Sequence, residues 1–191
     1  MQKSIQQDIH SLIPAERLRH LHKVSARLSA AGSPHPPALA GCFVHLQAGD
    51  AVWPANYEAA AQIASGQKLS STRDSGNASA SFELVAELAK ALREKSSSAV
   101  LVATLREREL LSPDAIALGR RIARQHLPLV LLSFGRTLPK PGDPQKRLDI
   151  PEMTVAADDA VAVYRVAEES FWRARTGVGP TWIRCATGAQ H

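Results

Sequence analysis

The sequence is poor in cysteine and has no long apolar run. Its two cysteines, Cys42 and Cys185, share no spacing typical of a metal site or of a CxxC redox motif. We therefore expect two reduced, partly buried thiols in a cytoplasmic protein. No apolar run approaches the roughly 20 residues of a membrane span, and the polar start, residues 1–7, predicts no signal peptide.

Aromatic residues are also scarce, at 5% of 191 residues, and basic residues outnumber acidic residues without forming a cluster in the sequence. The chain has 23 Lys+Arg against 18 Asp+Glu, which gives a net charge of +5. Because these basic residues are scattered and aromatic residues are few, the sequence predicts no nucleic-acid surface. It also lacks a Ser-His-Asp order, a P-loop and a Rossmann glycine fingerprint, so it supports none of those enzyme classes.

Two apolar runs organise the chain, residues 99–104 and residues 129–134. Each is six residues long and lies between breaking residues, which is typical of a strand buried on both faces of a parallel sheet. A charged turn at 105–109 and a helix that begins after Ser112 connect the runs and supply the crossover. Since ligands bind at the carboxyl ends of such strands, we expect function at 105–109 and 135–137.

The first third of the chain predicts one amphipathic helix and a proline-rich linker. Pro14 suits the first turn of a helix over 14–31, and apolar residues recur along it at spacings of three and four: Leu18, Leu21, Val24 and Leu28. Three prolines then predict an extended loop over 32–37, and an alanine-rich helix is expected over 53–63. We place a domain boundary between 1–40, the helix and linker, and 41–191, an α/β domain.

The later part of the chain alternates helices and strands. A loop is predicted over 65–79, a helix over 81–95 and a second loop over 137–148. A short strand at 153–156 leads to Asp158, which is expected to cap a helix over 160–176, and a last strand covers 181–185. This alternation predicts a three-layer α/β fold with a mainly parallel sheet covered on both faces.

The closing segment, from Asp149 to Cys185, resembles that of the alpha subunit of thiamine-diphosphate-dependent 2-oxo-acid dehydrogenases. The resemblance is carried by an Ile-Pro before a short strand and by a Gly-x-Gly-Pro-Thr that opens the last strand: Gly177, Gly179, Pro180 and Thr181. Three further stretches resemble the family in the same order, 43–49, 76–84 and 99–134. The resemblance implies a thiamine-diphosphate-binding-like fold.

The cofactor motif of that family is altered here. The resemblance places its Gly-Asp-Gly on Leu105, Arg106 and Glu107, and its Asn-Asn on Gly135 and Arg136. In the family these residues help a Mg²⁺ to bridge the cofactor's diphosphate, but Arg106 offers no acceptor and carries a fixed positive charge. We therefore expect no catalytic residue, no metal site and no bound cofactor, unless the altered motif still takes thiamine diphosphate with Mg²⁺.

Three functional hypotheses follow. The first is a degenerate, non-catalytic relative of the alpha subunit, a pseudoenzyme that acts as an interaction or regulatory module. The second is an active thiamine-diphosphate-dependent oxidoreductase subunit that decarboxylates a 2-oxo acid and needs a beta-type partner. The third is a small, metal-free anion-binding α/β protein in which Arg106, Arg136 and His45 contact a phosphate or carboxylate. His45 has an alternative role as a half-buried histidine with a backbone partner.

The resemblance also implies association, because the cofactor of this family lies between paired domains. We expect a homodimer or a complex with a beta-type dehydrogenase subunit, and neither a nucleic acid nor a membrane as partner. Four aromatic residues are too many for one core, so some of them are candidates for that contact: Trp53, Tyr57, Phe171 and Trp172.

Overall fold

The computed structural model describes residues 13–67, 70–71, 81–96, 98–135 and 148–188. It contains a six-stranded sheet in which every neighbouring pair is parallel, in the order β2-β1-β3-β4-β6-β5. The strands are β1 (Ala51–Trp53), β2 (Ser70–Ser71), β3 (Leu101–Arg106), β4 (Leu129–Gly135), β5 (Glu152–Ala156) and β6 (Thr181–Ala186). The predicted parallel sheet and all four of its predicted strands are confirmed.

Helices cover both faces of this sheet and make three layers. They are α1 (Ala15–Ala30), α2 (Pro36–Phe43), α3 (Glu58–Ser65), α4 (Ser81–Lys95), α5 (Glu107–Leu110), α6 (Pro113–Arg124) and α7 (Ala160–Arg175), with a 3-10 turn at Ala55–Tyr57. Buried side chains of α1, α2, α3 and α7 share one core, whereas those of α4, α5 and α6 share the other. The predicted three-layer α/β fold class is confirmed.

The central strands, β3 and β4, are apolar over most of their length because both of their faces are covered. Leu101 pairs with Leu129, and this register continues to Arg106 opposite Phe134. Val102 and Val130 contribute to the first core, and their neighbours along each strand contribute to the second. An uninterrupted apolar run is the expected signature of a strand in this position.

A buried ion pair fixes the amino edge of the sheet. Arg175, at the end of α7, donates to both carboxylate oxygens of Asp50 at 2.9 and 2.7 Å. The same carboxylate accepts the backbone N–H of Val100 at 2.9 Å and that of Gln47 at 2.8 Å. Since Asp50 is fully buried, these four hydrogen bonds supply the solvation that the carboxylate loses on folding.

The segment between α1 and β3 differs from the sequence prediction. The predicted loop over 32–37 is wrong at its end, because Pro36 and Pro37 begin α2, where the missing N–H groups cost no hydrogen bond. The boundary placed after residue 40 lies inside α2, which packs with α1 on the first core. The predicted helix over 53–63 is also wrong in its first part, since Trp53 ends β1 and α3 begins only at Glu58.

Two smaller corrections concern a loop and a helix cap. Within the predicted loop over 65–79, residues Ser70–Ser71 pair with β1 as a short edge strand. Asp159 rather than Asp158 caps α7, because its carboxylate accepts the backbone N–H groups of Val161 and Ala162. The predicted loop over 137–148 lies almost entirely outside the described residues.

Several other expectations agree with the structure. The N-terminal helix packs on this domain through Leu21, Val24 and Leu28. Cys42 and Cys185 are free and buried, and burial raises the pKa of both thiols, that of Cys185 to about 12. Across the described helices, none combines the length and the apolar character that crossing a membrane requires.

Candidate functional site

A cleft of about 520 Å³ lies at the carboxyl edge of the sheet. It is bounded by the residues that end β1, β3 and β4 and by the segment that leads into α2. This is the edge at which ligands bind in parallel α/β sheets, and the volume is that of an ordinary small-molecule pocket. The lining residues are Pro34, His35, Trp53, Pro54, Asn56, Tyr57, Thr104, Leu105, Arg106, Glu109 and Phe134.

The walls of the cleft are largely aromatic. His35 stacks on Phe134 with ring centroids 4.2 Å apart and planes inclined by 19°. Tyr57 is held by Phe43, whose ring meets it edge to face at 6.4 Å. Burial lowers the pKa of His35 and raises the pKa of Tyr57, so both side chains are neutral near pH 7. The walls therefore offer ring faces without adding charge.

The polar groups of the cleft are few, and one of them is unsatisfied. Thr104 is buried, and its hydroxyl has no hydrogen-bond partner among the described residues. Arg106 is exposed, and its backbone N–H donates to the carboxylate of Glu109 at 3.2 Å. The cleft thus combines one guanidinium, one carboxylate that caps the local backbone and one buried hydroxyl with the polar groups of His35, Asn56 and Tyr57.

On the other face of the same sheet edge, three charged side chains form an ion network. Glu107, which follows β3, pairs with Arg184 of β6, and Arg184 also contacts Glu152 at 3.3 Å. The Glu107 carboxylate crosses the end of β4 so closely that a Cβ on Gly135 would collide with it. The arginine is 11% exposed and each glutamate 22%, so this network closes the edge between β3 and β6.

The residues at this edge do not fit the Mg²⁺ and diphosphate that the sequence resemblance implies. Arg106 has no acceptor atom for a metal, and the carboxylate of Glu107 is already paired with Arg184. The same carboxylate fills the space beside Gly135, where a diphosphate would approach the backbone. Within the described ranges, no three His, Cys, Asp or Glu side chains group so that they could hold a metal ion.

Two of the three predicted site residues, Arg106 and His45, are described by the structure, and they line different cavities. Arg106 lines the cleft, and Arg136 lies outside the described residues. His45 borders a different cavity, of about 290 Å³, beside Arg17 and Tyr164. Its Nε2 lies 3.0 Å from the backbone carbonyl of Tyr164, and burial lowers its pKa to about 4. His45 therefore has the backbone partner that we considered as the alternative to ligand contact.

Sequence reasoning missed most of the cleft. The strand ends indicated Arg106 and the neighbourhood of Phe134, because both follow from the position of the apolar runs. His35 lies 99 residues before Phe134 in a proline-rich segment, and no local pattern signals that the two rings stack. The ion pair between Glu107 and Arg184 could not be predicted either, since the sequence around an arginine within a strand does not indicate which residues it contacts.

Known proteins resemble this chain in structure only. No protein-family model matches it, and no curated protein matches its sequence. A protein described as a thiamin diphosphate-dependent enzyme from Mycobacterium smegmatis matches with a TM-score of 0.51 and 14% identity, over 80% of this chain and 31% of its own. Benzoylformate decarboxylase from Polynucleobacter necessarius matches with a TM-score of 0.54 and 11% identity, over 82% and 33% respectively.

These matches define the fold. The chain has a thiamine-diphosphate-binding-like α/β fold, similar to that of thiamin diphosphate-dependent enzymes. It spans about a third of the length of the two structures that it matches. Neither protein is described as the alpha subunit of a 2-oxo-acid dehydrogenase, so these matches support the fold and not that particular subunit.

Proposed function

We propose that this protein is a non-catalytic relative of thiamine-diphosphate-dependent enzymes that acts as an interaction or regulatory module. It keeps the fold, and it does not bind thiamine diphosphate with Mg²⁺ at micromolar concentration. The resemblance of residues 149–185 to the alpha subunit of 2-oxo-acid dehydrogenases supports this proposal. A second copy of the chain or a beta-type subunit is the partner that this proposal favours.

The observation that carries the proposal is the ion network at the end of β3. Glu107 lies where the resemblance puts the second glycine of the cofactor motif, and its carboxylate is paired with Arg184 and packed against Gly135. To bind a Mg²⁺-diphosphate here, the chain would have to break this largely buried pair and expel the side chain. Arg184 would keep its contact with Glu152 at 3.3 Å, but the free energy needed to separate Glu107 from Arg184 would be subtracted from the affinity for the cofactor.

Arg106 acts against the metal for a second reason. Its guanidinium is always protonated and presents only donors. A fixed positive charge several ångströms from a divalent cation is repulsive, and this repulsion is strongest where solvent is partly excluded. Two independent features, a blocked edge and a misplaced cation, therefore favour the same conclusion.

Isothermal titration calorimetry with thiamine diphosphate, in the presence and absence of Mg²⁺, tests the proposal. We expect no binding at micromolar concentration under either condition. The same ligand stock, titrated into a known thiamine-diphosphate-dependent enzyme, shows that the cofactor is competent. Arg106→Ala is the informative variant, and Arg108→Ala is its matched control, because Arg108 is exposed and does not line the cleft.

Two outcomes separate the alternative functions. Tight binding that requires Mg²⁺ would refute the proposal and favour an active subunit that completes its site with a beta-type partner. Tight binding that ignores Mg²⁺ and disappears in Arg106→Ala, while persisting in Arg108→Ala, would favour a metal-free anion site. In that second case the chain would still be a ligand-binding module.

A further inference from the structure

The cleft on the α2 side of the sheet edge is a separate feature from the closed ion network. Glu107 and Arg184 belong to the network, and neither of them lines the cleft. The ion network therefore does not close the cleft, which is lined by Leu105 and Arg106 of the altered cofactor motif.

The shape and walls of the cleft suit a flat ring. His35 and Phe134 form one stacked wall, and Tyr57 contributes a further ring. Aromatic side chains bind other rings by offset or edge-to-face contact. The volume of about 520 Å³ accommodates a single-ring molecule together with solvent.

The buried hydroxyl of Thr104 needs a partner. Buried polar groups in native proteins almost always have one, and an exception calls for a bound water, an ion or a ligand. Thr104 is 8% exposed and lines the cleft. Its Oγ1 neither donates nor accepts a hydrogen bond within the described residues. A ligand oxygen in the cleft would satisfy this hydroxyl, which would then donate to it.

The lining offers an anion a single guanidinium. Arg106 contributes one positive charge and Glu109 one negative charge, while burial lowers the pKa of His35 and keeps its ring neutral. A carboxylate matches the fork of this one guanidinium and leaves the occupied cleft with a net charge of −1, whereas a dianion such as a phosphate monoester would leave it at −2.

We propose that this cleft binds a small aromatic carboxylate, with its ring against the His35–Phe134 wall and its carboxylate held by Arg106 and Thr104. The ligand class follows from the coincidence of ring faces, a guanidinium and an unsatisfied hydroxyl at one sheet edge. Because Thr104 and Arg106 lie two residues apart on the same strand, their side chains leave the same face of the sheet.

Calorimetric titration with benzoate tests this proposal, with the total tryptophan fluorescence of the protein followed in parallel. We expect benzoate to bind more tightly than cyclohexanecarboxylate, which has the charge without the aromatic ring, and than benzamide, which has the ring without the charge. Phenyl phosphate and inorganic phosphate serve as the dianionic comparison. Arg106→Ala is expected to weaken benzoate binding about tenfold or more, and Thr104→Val several-fold, while Arg108→Ala leaves it unchanged.

Several results would overturn the proposal. It fails if benzoate does not bind at up to about 10 mM, a limit that corresponds to negligible affinity. It also fails if benzamide binds as well as benzoate, if phenyl phosphate binds better, or if Arg106→Ala and Arg108→Ala behave alike. Circular dichroism verifies that each variant is folded, and Thr104→Val is expected to fold normally because it removes an unpaired hydroxyl. Thiamine diphosphate binding that requires Mg²⁺ and persists in Arg106→Ala would refute the proposed function and leave the benzoate result unchanged.

Discussion

The buried pair of Asp50 and Arg175 gives the sharpest stability prediction. Replacing Arg175 by alanine leaves a fully buried carboxylate with only its two backbone N–H donors. Removing one partner of a buried ion pair costs about 3–5 kcal/mol. That is a large share of the roughly 5–15 kcal/mol by which a domain of this kind is stable.

A matched surface pair provides the control for that substitution. Arg120 contacts Asp149 at 3.0 Å, close to the 2.7 Å of the buried pair, but its side chain is 55% exposed against 18% for Arg175. Exposed pairs contribute less than about 1 kcal/mol because water screens them. The two variants, Arg120→Ala and Arg175→Ala, therefore compare the same chemistry in two degrees of burial.

Urea denaturation followed by circular dichroism measures both free energies of unfolding. For Arg175→Ala we expect a loss of about 3–4 kcal/mol, equivalent to a melting temperature lower by about 10 °C in a chain of this length. A double-mutant cycle with Asp50→Asn should give a coupling above about 1 kcal/mol. If Arg175→Ala costs no more than Arg120→Ala, the argument from burial is wrong.

Three further predictions concern separate parts of the molecule. Because burial lowers the pKa of His45 from 6.5 to about 4, the unfolded chain binds this proton first, and stability should fall by about 3 kcal/mol as the pH drops from 6.5 to 4. His45→Gln, which keeps a donor for the Tyr164 carbonyl, should flatten that decline in pH-dependent denaturation; an unchanged slope would contradict it. Gly41→Ala should destabilise the protein by about 1–3 kcal/mol in the same assay, since a Cβ there would lie 2.7 Å from the carbonyl of Ala160; an unchanged midpoint would refute the close packing of α2 on α7. Trp172 is 56% exposed, so Trp172→Ala should weaken self-association in sedimentation velocity, and a monomeric wild-type protein at high concentration would argue against a homodimer.

The elements that were predicted best are those whose structure follows from residues close together in the sequence. β3 and β4 could be predicted from their apolar runs alone, since such a run is typical of a strand that is buried on both faces. β1 was missed because it has only three residues, Ala51–Trp53, and its place in the sheet comes from pairing with β3 rather than from its own pattern. α2 was missed because Pro36 and Pro37 were interpreted as loop residues. Prolines are also tolerated in the first turn of a helix, and these two begin α2.

The site was predictable only where it coincides with a strand end. Arg106 was identified because it follows an apolar run, and parallel sheets bind ligands there. His35 and Glu107 depend on partners 99 and 77 residues away, Phe134 and Arg184, and such contacts arise from the tertiary fold. His45 illustrates the opposite case, in which a plausible ligand contact is taken by a backbone carbonyl.

The arrangement around Arg184 has a consequence for how the sheet edge responds to its surroundings. The positive charge between Glu107 and Glu152 is covalently part of β6, so it cannot dissociate, be exchanged or be removed by a chelator. If a metal held this edge together, the order of the edge would depend on the concentration of the free ion. A guanidinium that belongs to the chain holds the edge at any ion concentration. The edge is therefore expected to hold its shape in EDTA as it does in magnesium-rich solution.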